Sequence, residues 1–263
     1  MLLAIDAGNT NTVFALIEGG EIRERWRLST GYQRTGEEYQ VWLTQLLSLK
    51  GWSPSDVDGA IIASVVPQVV RPLTMLCTET FGVDPLVVGE PGITLDVDVR
   101  VDSPQDVGAD RLVNALAAHA AHEGPLVVVD FGTATTFDVV SSDGAYLGGL
   151  ICPGINLSLH ALHQAAAKLP HIALSAPADK RVTGKNTLEA MQSGIFWGYV
   201  SMLEGLVMRL RAEHSPDMTI IATGGLASIF ADHTDAIDLV EGDLTLQGLR
   251  LIFERNKHKR SAE

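Results

Sequence analysis

The chain has little of what marks a secreted, membrane-embedded or nucleic-acid-bound protein. Its 263 residues include two cysteines, Cys77 and Cys152. Neither has a partner at zinc-type spacing, and two thiols do not make a disulfide framework. Both read as small apolar side chains. No apolar run reaches the ~18–20 residues of a membrane span. Asp6 interrupts the N-terminal apolar stretch at once, and no basic flank of a secretory signal precedes it. A cytoplasmic protein without a membrane partner is expected. Positive charge is scarce as well: 19 Lys and Arg stand against 32 Asp and Glu, a net charge of -13. A chain this acidic repels a nucleic-acid backbone unless a strong local basic patch offsets it. The patch that exists, Arg255, Lys257, Lys259 and Arg260, reads as a solubilising tail, so no nucleic-acid partner is expected. Familiar nucleotide and hydrolase signatures are missing: there is no G-x-x-x-x-G-K-[ST], no G-x-G-x-x-G after a strand, and no G-x-S-x-G elbow.

What is present is a globular composition, 46% apolar and 19% charged, with room for one large domain or two of ordinary size. The chain opens on L-A-I-D-A-G-N-T-N-T-V-F-A-L, residues 3–16. An apolar run leads into Asp6; Gly8, Asn9, Thr10, Asn11 and Thr12 follow, and the apolar residues resume. Two strands joined by a tight polar turn read this way. Such a turn offers backbone N–H groups, hydroxyls and a carboxylate at one point, which suits a phosphate and its metal ion. An ordinary hairpin with a polar tip reads the same.

Further along, Ile22–Leu28 is a third strand and Thr35–Leu49 a helix with Thr35 and Glu38 at capping-box spacing. Ala60–Val66 is a buried strand. A helix through Val69, Leu73 and Cys77 closes near Gly82, and Pro85–Val88 is a short strand. One more strand is expected at Val97–Val101. Gly108-Ala109-Asp110-Arg111 opens a helix. Then V-V-V-D-F-G-T-A-T-T-F-D-V-V, residues 127–140, repeats the opening, with Asp130 in the place of Asp6, Gly132 in that of Gly8 and Thr136 in that of Thr12. T-I-I-A-T-G-G from Thr219 echoes A-I-I-A-S from Ala60. Two echoes in the same order argue for a duplicated α/β unit. Between them lie a helix from Pro153 to Lys168, starting after Gly154, and a long helix from Asn186 to Glu213 with Leu188, Met191, Ile195, Met202, Leu206 and Leu210 as its apolar stripe. Thr245–Arg255 is the last helix.

If the two halves face each other, Asp6 and Asp130 approach one region, and two carboxylates beside phosphates require a cation. Asp110, in the first turn of its helix, is either a cap stabilised by the helix dipole or a base for phosphoryl transfer to an alcohol. Asn186 or Thr187 either caps the long helix or meets a polar ligand. Thr223-Gly224-Gly225 allows close approach to a flat ligand or is only a tight turn. His160 and His163 have metal-compatible spacing but no evident third ligand.

The ordered set D-A-G-N-T-N-T-V, V-G-A-D-R-L-V-N-A, D-F-G-T-A-T-T, G-K-N-T with A-M-Q-S-G, and A-T-G-G-L-A resembles the type III pantothenate kinase family, from residue 3 to about residue 250. The resemblance implies an α/β fold of two duplicated actin-like (ribonuclease H-like) domains, a mixed sheet in each and the active site in the interdomain cleft; we set them at residues 1–113 and 114–263, with the packing of the last helix left open. It implies ATP-dependent phosphorylation of pantothenate to 4′-phosphopantothenate, the first step of coenzyme A biosynthesis. It further implies a homodimer that uses ATP with Mg2+ and a monovalent cation, K+ or NH4+. By motif, Asp6, Ala7, Gly8, Asn9, Thr10, Asn11, Thr12, Val13 and Thr133 would bind ATP, with Asp6 near the Mg2+. Gly108, Ala109, Asp110, Arg111 and Thr187 would bind pantothenate, Asp110 would be the general base, and Asp130 would hold the monovalent cation. Val101 stands where the family often has a tyrosine. The competing reading is a catalytically silent member acting as a transcription accessory protein.

Overall fold

The computed structural model describes residues 1–165, 169–170, 172–177 and 181–260. The chain forms two compact units. The first comprises Met1–Val97, Ser103–Ala117 and the C-terminal segment from Leu244; the second comprises Asp98–Asp102 and Ala118–Asp243. Against the expected division at 113/114, the boundary falls four residues further along the same helix, and the last helix joins the first unit.

The first unit is built on β1 (Leu2–Ala7), β2 (Asn11–Glu18), β3 (Glu21–Ser29), β4 (Gly59–Ser64) and β5 (Leu86–Val87), in the order β3-β2-β1-β4-β5. β1 pairs antiparallel with β2 and parallel with β4, so the sheet is mixed. Helices α1 (Gly36–Leu49) and α2 (Pro67–Phe81) cover one face, where Leu3, Ile5, Phe14, Leu43, Leu47 and Leu73 are fully buried. The capping box expected at Thr35 and Glu38 is present in both directions, and α2 ends on Gly82 in the left-handed conformation, which glycine adopts without a Cβ penalty.

The opposite face is closed by α3 (Ala109–Ala121) and α7 (Leu244–Arg260). Val113 and Leu116 pack there with Leu246, Leu249 and Ile252 on Leu2, Ala4, Ala15 and Ala63. Each fully buried aliphatic side chain of this kind contributes about 1.5–3 kcal/mol. Three of them on α7 outweigh any capping term, so the last helix is core to this unit and longer than the expected Thr245–Arg255.

The second unit repeats the topology with β6 (Leu126–Phe131), β7 (Ala134–Val140), β8 (Tyr146–Pro153), β9 (Thr219–Gly224) and β10 (Leu239–Val240), ordered β10-β9-β6-β7-β8. Between β8 and β9 lie α4 (Ile155–Ala165) and α5 (Thr187–Glu213); α6 (Ala227–Ala231) follows β9. Phe131, Phe196 and Phe230 form a stack under one face, with centroids 5.1 and 5.6 Å apart. The helix starts after Gly154 as expected, at Ile155, with Pro153 closing β8; its expected end at Lys168 lies outside the described residues. Two expectations are corrected here. The buried stripe of α5 runs through Phe196, Tyr199, Val200, Leu203, Val207 and Leu210, whereas Leu188 is exposed and Met202 and Leu206 only border the core. The large aromatics, seated against Phe230, set the rotation of the helix. Val97–Val101 is not a strand: a single parallel bridge joins Val99 to Tyr146, and Asp96, just before the segment, takes a left-handed φ of 54°. The segment is nonetheless stapled to its unit by Arg100, which bonds Asp98 and Asp143 and holds the Asp143 carboxyl at about 2.

The contact between β4 and α7 can be tested directly. A Cβ on Gly59 would lie 2.3 Å from Cζ of Phe253. Gly59→Ala is expected to lower stability by about 1–3 kcal/mol by overpacking, and Phe253→Leu to restore part of it. Urea unfolding of the two single variants and the double variant reads this out; additive losses would show that the ring is not the obstacle.

Candidate active site

The first polar turn is the three-residue connection Gly8–Thr10 between β1 and β2. The Gly8 N–H donates to the Asn11 carbonyl at 3.0 Å. The carbonyls around it are drawn inward. Ala7 accepts from the Val65 N–H at 3.2 Å and the Ser64 hydroxyl at 3.3 Å, and Thr10 from the Thr30 N–H at 2.9 Å. Gly8 accepts from the Thr30 hydroxyl at 2.7 Å. Because that proton is committed to Gly8, the 3.0 Å contact between Thr12 and Thr30 has Thr12 as donor. A turn whose carbonyls are held by the protein is electrically suited to an anion, since its acceptor ends no longer face the ligand. Thr30 and Ser64 carry this geometry, and sequence reading missed both; the hint was small hydroxyls ending β3 and β4.

Asp6 shares strand parity with Leu2 and Ala4, so it lies on the sheet face that α3 covers. Val13 of β2 and Ala109 of α3 border the same cluster. The structure thus places Asp6, Val13 and the start of α3 on one face of the first sheet.

The second turn is one residue shorter, Gly132 and Thr133 only, with the Gly132 N–H bonded to the Ala134 carbonyl. The shortening corrects the sequence echo. Ala7 pairs with Thr12, whereas Phe131 pairs with Thr135 and Asp130 with Thr136. Thr135, not Thr136, therefore stands where Thr12 stands; both are buried. The echo at Thr219 shifts likewise: Leu2 faces Gly59 and Leu126 faces Thr219, so Thr219 matches Gly59 rather than Ala60. Hydrogen-bond register, not residue likeness, decides equivalence.

Asp130 is the penultimate residue of β6, paired with Thr223 and next to Gly224. A Cβ there would lie 2.7 Å from Asp130 Oδ1, and Gly224 has φ +89. The glycine makes room for a carboxylate of the protein itself. Gly154 likewise lies so close to the second turn that a Cβ would meet the Thr133 carbonyl at 2.2 Å. Sequence reading saw Gly154 only as a helix start.

Asp110 is the second residue of α3. The Gly108 carbonyl accepts from the Arg111 and Leu112 N–H groups at 3.1 and 3.4 Å, so Gly108 holds the capping position and Asp110 is not the cap. Its Oδ1 accepts from the Arg111 N–H at 2.9 Å and folds back over Gly108, where a Cβ would lie 2.6 Å away. Burial pushes the Asp110 carboxyl above its ordinary range, against the pull of the Arg111 N–H and guanidinium. A poised, partly buried carboxyl is what proton abstraction near neutral pH requires.

Thr187 is the first residue of α5. Asn186 caps the helix, its side chain accepting from the Glu189 N–H at 2.9 Å. Thr187 is exposed and lines a cavity of about 570 Å3 with Gly184, Asn186 and Met191. His163 Nδ1 lies 2.8 Å from the Leu169 carbonyl. Among the described residues no three metal-type side chains converge. Cys77 is buried, its thiol pushed up to about 12, and Cys152 is half-buried. No helix among them is long and apolar enough to cross a membrane.

The sequence profile described as type III pantothenate kinase matches residues 2–209. A protein of that description from Paramagnetospirillum magneticum is 57% identical over 97% of this chain and 98% of its own, and one from Caulobacter vibrioides 55% identical over the same shares. The chain belongs to the type III pantothenate kinase family. Solved structures add the fold. A candidate Baf family transcriptional activator from Campylobacter jejuni superposes with a TM-score of 0.60 at 21% identity, over 97% of this chain and 99% of that one. The activator of 2-hydroxyisocaproyl-CoA dehydratase from Clostridium difficile, solved with ADPNP, gives 0.57 at 12% identity over 100% and 97%. The two mixed sheets are the actin-like arrangement that the family implies.

Gly108→Ala tests the placement of Asp110. Its Cβ would displace only a flexible carboxyl, so the fold should survive with a cost of at most about 1 kcal/mol at the cap. Steady-state kinetics should show kcat falling more than tenfold with KM for ATP within twofold. A kcat near wild type would show that the fold-back of Asp110 over Gly108 is incidental.

Proposed function

We propose that the protein transfers the γ-phosphoryl group of ATP to the primary hydroxyl of pantothenate, forming 4′-phosphopantothenate, the entry step to coenzyme A. The observation that carries the mechanism is Asp110: a carboxyl at the open end of α3, displaced from the capping position and raised in pKa by burial. In the reaction it accepts the hydroxyl proton of pantothenate as that oxygen attacks phosphorus. Gly108, Ala109 and Arg111 hold the same substrate at the helix start, and Thr187 contacts it from α5.

The first turn, Asp6 to Val13, cradles the ATP phosphates; the bonding of its Ala7, Gly8 and Thr10 carbonyls to the protein supports this reading. Thr133 contacts the nucleotide from the second turn. The donors fit hard cations. Asp6 offers one carboxylate, which would suit Mg2+ brought in with the nucleotide. Asp130, a carboxylate at a strand end beside a threonine, suits a monovalent ion, K+ or NH4+. Asp6 would hold Mg2+, which when bound would neutralise charge developing on the phosphates. A cytoplasmic homodimer completes the reading, supported by family membership.

The direct test is purified protein with pantothenate and Mg-ATP, with and without K+, followed as ADP release. No pantothenate-dependent release would sink the proposal. Asp110→Asn should keep ATP binding and lose about 10²–10⁴ in turnover.

A pH series on the same variant checks the protonation argument. A carboxyl with a raised folded-state pKa is a penalty once the unfolded chain ionises. Wild-type stability should therefore fall relative to Asp110→Asn as pH rises from the ordinary carboxylate value to the raised one. The two should differ least in acid. Thermal melts across that range read the difference; an opposite trend would mean that the carboxylate is stabilised in place.

A further inference from the structure

Asp138 is fully buried on β7 and has no part in the reading above. Both of its oxygens are engaged: Tyr146 donates its hydroxyl to Oδ1 at 2.9 Å, and Thr136 donates its hydroxyl to Oδ2 at 3.1 Å. Burying a carboxylate is costly unless it is hydrogen-bonded, and a network of this kind is kept for a reason other than packing. The duplication supplies the control. By register, Val13 stands in the first sheet where Thr136 stands in the second, since each faces the strand-end aspartate, Asp6 or Asp130. Ala15 stands where Asp138 stands, facing Ala4 and Val128 in turn. The first sheet fills these places with apolar side chains and folds; the polar pair is an addition specific to the second.

A threonine hydroxyl has one proton. That of Thr136 is committed to Asp138, so its Oγ1 can only accept. Thr136 lies directly across the strand pair from Asp130, on the same sheet face. Two oxygens that accept and do not donate, side by side, repel a phosphate and suit a cation with oxygen ligands. We propose that Asp138 is a positioning residue. By taking the proton of Thr136 it turns that hydroxyl into a second oxygen donor beside Asp130 for the monovalent cation. This inference rests on the assignment of Asp130 to that cation.

The test is the rise in melting temperature of the full chain as KCl replaces tetramethylammonium chloride at constant ionic strength, with K+ activation of turnover measured in parallel. Asp138→Asn, which can donate to Thr136 and reverse its hydroxyl, is expected to raise the half-saturating K+ about tenfold in both readouts. Tyr146→Phe removes the hydroxyl donated to Asp138 Oδ1 but leaves Thr136 oriented; it should lower the melting temperature while shifting half-saturation less than twofold. Equal shifts in the two variants, or none in Asp138→Asn, would overturn the proposal. If Asp138→Asn does not fold, Thr136→Val decides. It carries the residue found at the matching place in the first sheet and should abolish the K+-dependent rise, and a retained rise overturns the proposal. A wild type indifferent to K+ in both readouts removes the cation assignment itself, and this inference with it. A wild type that responds while Asp138→Asn matches it removes the inference alone.

Discussion

The geometry of each unit depends on a central strand that is paired on both sides and carries an aspartate as its penultimate residue. β1 is held antiparallel by β2 and parallel by β4, and Leu3, Ala4 and Ile5 are fully buried. A slip of one residue would exchange the faces. It would drive Asp6 into the cluster of Leu3, Ile5 and Phe14 under α1 and α2. Apolar packing on both faces therefore fixes where the carboxylate emerges, and no hydrogen bond of the turn needs to do so. The turn is then free to be polar and N–H-rich. β6 repeats the constraint with Val127 and Val129 on one face, Leu126 and Val128 on the other, and Asp130 at the end.

The two copies share this frame and diverge in what surrounds the aspartate. At the end of β3 the first copy has Thr30, whose hydroxyl holds the Gly8 carbonyl; at the matching end of β8 the second has Gly154, which brings backbone against the Thr133 carbonyl. The Val65 N–H, beside Ser64, holds the Ala7 carbonyl in the first copy; Gly224 makes room for Asp130 in the second. The first copy ties up the Gly8 and Thr10 carbonyls, while the second sets Asp130 beside Gly224. One topology thus carries two turns of different polarity, and the difference comes from a few residues and from one residue of turn length.

Apolar periodicity and turn residues made most of the fold legible in the sequence. The capping box at Thr35, the glycine stop at Gly82 and the doubled strand–turn–strand pattern all carry local physical signals, and all are where they were expected. Register was not legible. The second turn is one residue shorter than the first, and a threonine-rich stretch, T-A-T-T, offers two threonines to match with Thr12; only the ladder chooses Thr135. The rotation of α5 failed for a related reason. That helix is apolar over a wide arc, so spacing allows more than one stripe, and the choice is made by Phe196 and Tyr199 seating against Phe230. Thr30 and Ser64 were invisible because their partners, the carbonyls of Gly8 and Ala7, are remote in sequence.

Asp110 shows how a local rule and its violation can be told apart. A carboxylate in the first turn of a helix is ordinarily stabilised by the dipole, by about 0.3–1 kcal/mol, which would lower its pKa. Here the direction is reversed, because burial outweighs the Arg111 contacts. An aspartate kept for helix stability would occupy the capping position, where its oxygen could accept from the third N–H of the helix; Gly108 occupies it instead. Glycine at 108 also supplies the space into which the carboxyl folds. Both residues therefore forgo the more stable local choice, and together they hold one carboxyl of raised pKa at the start of α3. Such a concession concentrates at sites where chemistry rather than folding sets the residue.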